Sequence, residues 1–260
     1  MGGPGAHDPE AMATAAIDGL PHDRLGSRSP RSLFDCRSGA LGPGPAPSYR
    51  LAASAGMRRA IPLCLSGQKG TEVLQALFLM DRDRSLLSPV AVVSAVQTIR
   101  HPDRRQPGTP FALGDAASAI AVMERPVRGV RGFDVLGIGL AQGEEDRGQT
   151  LLAAISQAVD AASMPLDGIF WTIAHCCSPA FRNSLDEILP GVETVGREKH
   201  QEVDFGCADT LVSLAMVAES GEHPLLGTGL LLFAGRHGST GALLVDGIDP
   251  NENPPAYHGS

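Results

Sequence analysis

Apolar residues recur along this chain in two rhythms. Thr71 to Met80 spaces Val73, Leu74, Leu77 and Met80 three or four apart, and Thr150 to Ala162 does the same with Leu151, Leu152, Ile155 and Val159. Such spacing gathers apolar side chains on one stripe of a helix. Cys207 to Glu219 and a short segment at 48–55 also read as helices, and Ser178-Pro179 opens another with proline in its first turn. Between the helices lie apolar runs: Ala60 to Leu65, Pro89 to Val96, Ala116 to Met123, Phe133 to Leu140, Gly168 to Ala174, Gly229 to Phe233 and Ala242 to Val245; Glu193 to Val195 reads as a further short strand. Runs of this length predict strands buried on both faces. Strands that alternate with helices predict an α/β layered architecture.

The elements divide into two units, 47–145 and 146–250, whose parts come in a similar order without a residue-level repeat. Residues 1–46 read as an irregular leader, because Gly2-Gly3-Pro4-Gly5 and Gly42-Pro43-Gly44-Pro45 hold no regular element and few apolar residues are available to bury. Residues 251–260 read as a loop tail.

Aromatic residues are only 4% of the chain, so the core is expected to be aliphatic. A net charge of -8 argues against nucleic-acid binding, which needs a basic face. An acidic carrier protein would need a local basic patch; Arg100, Arg104 and Arg105 cluster, as do Arg125, Arg128 and Arg131, but both groups read first as ordinary solvated loop arginines. Five cysteines without a framework-like spacing imply reduced thiols and a cytoplasmic location. Met1 to Leu20 lacks the pattern of a secretory signal, and no apolar run is long enough to span a bilayer, so no membrane partner is expected.

Three short motifs bear on chemistry. Gly137, Gly139 and Gly143 lie between a strand and a helix, but three residues rather than two precede the last glycine, which excludes the dinucleotide-binding fingerprint. No Gly-x-Ser-x-Gly elbow and no phosphate-binding Gly-x-x-x-x-Gly-Lys occurs. His175-Cys176-Cys177 follows directly on a buried strand, where ligands and catalysis collect in α/β folds. The same residues could be a packed His with two buried thiols. A metal site is disfavoured, because adjacent cysteines diverge from a shared ion.

Taken together, these segments resemble the ketoacyl synthase III-like enzymes of the thiolase superfamily, from about Arg50 to Gly247. Ser66-Gly67-Gln68-Lys69-Gly70-Thr71-Glu72-Val73-Leu74-Gln75-Ala76-Leu77 is similar to the family's Ser-x-Gln-x-Cys-Ala-x-x-Leu-x-Ala-Leu. Phe111 to Ala119 resembles its Leu-Phe-Gly-Asp-Gly-Ala-Gly-Ala segment, and His175-Cys176-Cys177-Ser178 stands where it has His-Gln-Ala-Asn. Asp204-Phe205-Gly206-Cys207-Ala208-Asp209 resembles its Tyr-Gly-Asn-Thr-Ser region, and Gly235 to Ala242 its closing glycine-rich loop.

The resemblance implies a thiolase-like fold of two related α/β units, with the first incomplete because the strands and helix expected before Arg50 are lacking. It implies no cofactor, an acyl-coenzyme A or acyl-carrier-protein thioester as substrate, and a dimer formed across the strand Pro89 to Val96. Chemistry in such enzymes uses a Cys thiolate at a helix N-terminus, a His and an Asn, and backbone amides for the oxyanion. The nucleophile position falls on Gly70, the Asn position on Cys207 and the last glycine-loop position on Arg236, so only His175 is retained.

Two readings follow. The chain is a non-nucleophilic ketosynthase-like subunit of acyl-chain biosynthesis, fatty-acid or polyketide in type, that forms a homo- or heterodimer with a ketosynthase-like chain and meets an acyl carrier protein. Alternatively it is an active acyltransferase whose nucleophile has moved to Cys64 or Cys176, working with His175. A decayed, poorly folding gene product is a third possibility.

Overall fold

A computed structural model describes residues 8–21, 29–38, 47–67, 70–97, 112–125, 127, 129–143, 147–175, 179–196, 203–235 and 238–248. The first unit runs α1 (Pro9–Asp18), β1 (Ser32–Ser38), α2 (Pro47–Ser54), β2 (Ile61–Gly67), α3 (Glu72–Arg82), β3 (Val90–Gln97), β4 (Ala112–Leu113) and β5 (Ala116–Met123). The second runs β6 (Gly132–Gln142), α4 (Arg147–Ala162), β7 (Trp171–Ala174), α5 (Pro179–Ile188), β8 (Glu193–Thr194), β9 (Val203–Asp204), α6 (Asp209–Ser220), β10 (Gly227–Ala234) and β11 (Ser239–Ile248).

The two sheets repeat one plan. The first has the order β2-β1-β3-β5 and the second β6-β11-β10-β7-β8. In each, three parallel strands are followed by an antiparallel one: β5 beside β3, and β11 beside β10. The series α1-β1-α2-β2-α3-β3-β5 thus matches α4-β7-α5-β8-α6-β10-β11 element for element. The second sheet adds β6 on β11, and no counterpart of β6 is present among the described residues of the first unit.

Alternation along the strands sorts the cores into layers. One face of the first sheet packs under α1 and α2, through Leu33, Val92 and Val96 against Ala13, Ile17, Leu51 and Ala52. Its other face, with Phe34, Ala91 and Val93, meets α3 and α6, which also cover Trp171, Ile173, Leu231 and Phe233 of the second sheet. Leu230, Leu232 and Leu244 on the far side of that sheet pack on α4 and α5. The result is a helix-sheet-helix-sheet-helix stack with α3 and α6 at the centre. The stripe Val73, Leu74, Leu77 and Met80 is buried in that central layer, where each such side chain contributes about 1.5–3 kcal/mol.

Three expectations change. The 1–46 stretch is not wholly irregular, because it supplies α1 and β1, and β1 is an interior strand between β2 and β3. Two charges disguise it. Asp35 and Arg37 point to the same face, and Arg37 Nε lies 2.9 Å from both carboxylate oxygens, which lets them be buried together. The elements expected to be lacking before Arg50 therefore include a helix and a strand that are present. Finally, the strand running from residue 90 cannot be a dimer edge: β3 is buried throughout and pairs with β1 on one side and β5 on the other. The free edge of the parallel strands belongs to β2, where Ile61 is 38% exposed.

Gly137 and Gly139 have a packing reason. A Cβ on either would fall 2.0 or 1.9 Å from the carbonyl oxygens of Ala158 and Ala154, so these glycines let the backbone of α4 lie directly on β6. No helix among the described residues is long and apolar enough to cross a membrane.

Candidate functional site

The strands β1, β3, β7 and β10 end near one another in the central layer, beside the N-termini of α3 and α6. His175 follows β7 and continues its pairing, its N–H donating to the Leu232 carbonyl of β10 (3.0 Å). Two residues further along β10, the Ala234 carbonyl meets Gly70 at the start of α3. The sequence-derived partners Gly70 and His175 are thus brought to the same end of the same strand.

Gly70 has φ +66, and a Cβ there would lie 2.3 Å from the Ala234 oxygen and 3.3 Å from Gly235 Cα. Backbone at the end of β10 stands where a side chain at the position expected to carry a nucleophile would begin. A side chain could enter only if that backbone moved, in addition to the cost of a left-handed conformation for a residue with a Cβ.

His175 is buried and faces two carboxylates. Its Nε2 is 3.2 Å from Asp204 Oδ1, and its Nδ1 is 3.9 Å from Asp209 Oδ2. Asp204 ends β9 and pairs with β4 of the first unit, while Asp209 begins α6, where a helix N-terminus favours negative charge. Both carboxylates also tie down the intervening turn: Asp204 Oδ1 accepts from Gly206 N (2.6 Å) and Asp209 Oδ1 from Phe205 N (3.1 Å). One carboxylate oxygen thus lies within hydrogen-bonding distance of Nε2, and a second carboxylate stands further off on the Nδ1 side. Sequence reasoning weighed this segment for Cys207 and passed over its two aspartates; acidic residues inside an otherwise apolar stretch were the signal.

Cys207 does not replace an amide donor in the site. Its thiol points away into the central core, donating towards the carbonyls of Val96 (3.4 Å) and Cys36 (3.5 Å), and burial pushes it up to about 12. Cys36, fully buried alongside, is pushed well above the ordinary thiol value, first by burial and then by Cys207. Cys64 is not brought to His175 at all. It shares the α1/α2 face of the first sheet with its register partner Asp35, whereas Leu63 and Leu65 face the central layer. Its thiol is also raised, mainly by burial. Cys36, Cys64 and Cys207 are free thiols. Cys176, Cys177 and Arg236 lie outside the described residues, as do Arg100, Arg104, Arg105 and Arg128. Of the other arginines singled out, Arg125 is exposed and Arg131 Nη1 donates to the Ala218 carbonyl. No group of side chains among the described residues could hold a metal ion.

No protein-family model matches the chain, and no curated protein matches it. Solved structures do. ChlB3, described as an acyltransferase, superposes with a TM-score of 0.77 at 19% identity, covering 94% of this chain and 86% of its own. The 3-oxoacyl-[acyl-carrier-protein] synthase III of Aquifex aeolicus gives 0.74 at 14% identity, over 92% and 85%. The chain has the ketoacyl synthase III fold. A ketosynthase/chain length factor of ishigamide formation matches this fold as well, with a TM-score of 0.72 at 14% identity over 94% and 82%.

Proposed function

We propose that this protein is a non-nucleophilic ketosynthase-like subunit of acyl-chain biosynthesis, fatty-acid or polyketide in type, acting in the cytoplasm. The observation that carries the reading is the combination at the end of β10. The Ala234 carbonyl fills the space beside Gly70, and both ring nitrogens of His175 face carboxylates rather than an acyl-bearing residue. A thioester carbonyl reaching this site would find no thiolate among the described residues, because the buried thiols are all raised.

The acyl group would then be handled by a second chain, a ketosynthase-like partner that meets an acyl carrier protein. The β2 edge is the surface suited to that partner. Among the described residues no strand pairs with its outer side, and α3 beside it exposes Phe78 (39%) and Leu79 (42%). A solved neighbour whose description names both a ketosynthase and a chain length factor supports an assembly of two such chains.

The test is intact mass after incubation with acyl-coenzyme A and acyl-carrier-protein thioesters, with the adduct mapped. The expected result is an unmodified chain that co-purifies with a ketosynthase-like partner when the two are expressed together. A stoichiometric acyl group on any cysteine, Cys176 included, would overturn the proposal and restore the acyltransferase reading.

A further inference from the structure

Ser38 and Gln97 end β1 and β3 and are register partners. Both side chains reach across to one turn of the second unit, residues 204–207. Ser38 Oγ accepts from Cys207 N (2.7 Å). The Gln97 amide nitrogen donates twice, to the Asp204 carbonyl (2.9 Å) and to the Gly114 carbonyl (3.2 Å). Gln97 is 3% exposed, so these bonds form without competition from water.

The amide oxygen of Gln97 shapes the same turn from the other end. A Cβ on Gly206 would fall 1.7 Å from it, and Gly206 has φ +55. Only a glycine fits against this amide, and the turn it makes directs Gly206 N at Asp204 Oδ1. One side chain thus fixes the backbone of Asp204 by its nitrogen and bounds the turn that holds the Asp204 carboxylate by its oxygen. That carboxylate is the one facing His175 Nε2.

We infer that Gln97 is a positioning residue for the His175 site: through Asp204 it sets the hydrogen bonding of the imidazole. The inference rests on the site described in the proposed function, and extends it to a residue of the first unit that does not touch His175. It makes the site a joint product of the two units, since β3 of one aligns the carboxylate that faces the histidine of the other.

The ring nitrogens of His175 report this directly. In the full-length protein labelled with 15N-histidine and assigned with His175→Gln, Gln97→Leu is expected to move the Nε2 signal of His175 towards that of an imidazole without a carboxylate partner. Gln97→Glu keeps the shape but loses both donors and is expected to move it the same way. Thr172→Val, which removes a hydroxyl contact to Thr194 on the far side of β7, serves as the control for general loosening.

Unmoved His175 signals in Gln97→Glu would overturn the inference, as would equal movement in Thr172→Val. Should Gln97→Leu fail to fold, the near-isosteric Gln97→Glu decides alone; should both fail, Gln97→Met, which keeps the length of the side chain without its amide, decides by the same His175 signals, movement supporting the inference and unchanged signals overturning it. An acyl adduct would defeat the non-nucleophilic reading without touching this result, so the two fail separately.

Discussion

A side chain on Gly70 would begin 2.3 Å from the carbonyl oxygen of Ala234. Under the non-nucleophilic proposal, this position is closed to a nucleophile by backbone geometry as well as by residue identity. Gly70→Cys is expected to destabilise the protein by about 2–4 kcal/mol, from the left-handed conformation and the clash together. It is also expected to gain no acyl group. Denaturant melts and intact mass check both parts, and a stable, acylated Gly70→Cys protein would contradict them.

The imidazole of His175 holds two buried carboxylates, so removing it should cost far more than an exposed histidine would. His175→Gln removes the ring that faces Asp204 Oδ1 and Asp209 Oδ2, at an expected loss of about 3 kcal/mol in unfolding free energy. A loss below that of an ordinary surface substitution would mean the pairs contribute nothing.

Alkaline stability depends on the thiols. Burial raises Cys207 from 9.0 to about 12, so above pH 9 the unfolded chain releases a proton that the folded chain keeps. Its contribution is complete below pH 9 and is lost as pH rises towards 12. Unfolding free energy should fall along that limb, and Cys207→Ala should make the fall shallower by about 1.4 kcal/mol per pH unit. Identical slopes in denaturation series between pH 9 and 11 would refute it.

The edge of β2 makes a prediction about assembly. Phe78→Asp with Leu79→Asp changes two exposed side chains and is expected to leave thermal stability within about 0.5 kcal/mol. Capture of a co-expressed ketosynthase-like chain should nevertheless be abolished. Undiminished capture would place the partner on another surface.

The parts of the fold that were legible in the sequence are those where one physical signal acted alone. The stripe of α3 and the uninterrupted run of β3 each have a single burial pattern, and both elements occur within a residue or two of expectation. β1 was not legible because Asp35 and Arg37 break its apolar run, and their mutual neutralisation depends on a strand geometry the sequence does not display. β4 and β9 are two residues long, too short to carry any period. At the site, motif order singles out Gly70 and His175. It does not single out Asp204, Asp209 and Gln97, since their roles come from strand ends that lie far apart in the chain.

The pairing of β6 with β11 bears on how the chain is made. β6 is complete at Gln142, and its hydrogen-bonding neighbour begins at Ser239. At ribosomal speeds of about 5–20 residues per second, the separation of about a hundred residues leaves β6 without that partner for about 5–20 s. During that interval the first sheet can already have closed over α1 and α2, so the second unit would assemble late, against a finished first unit.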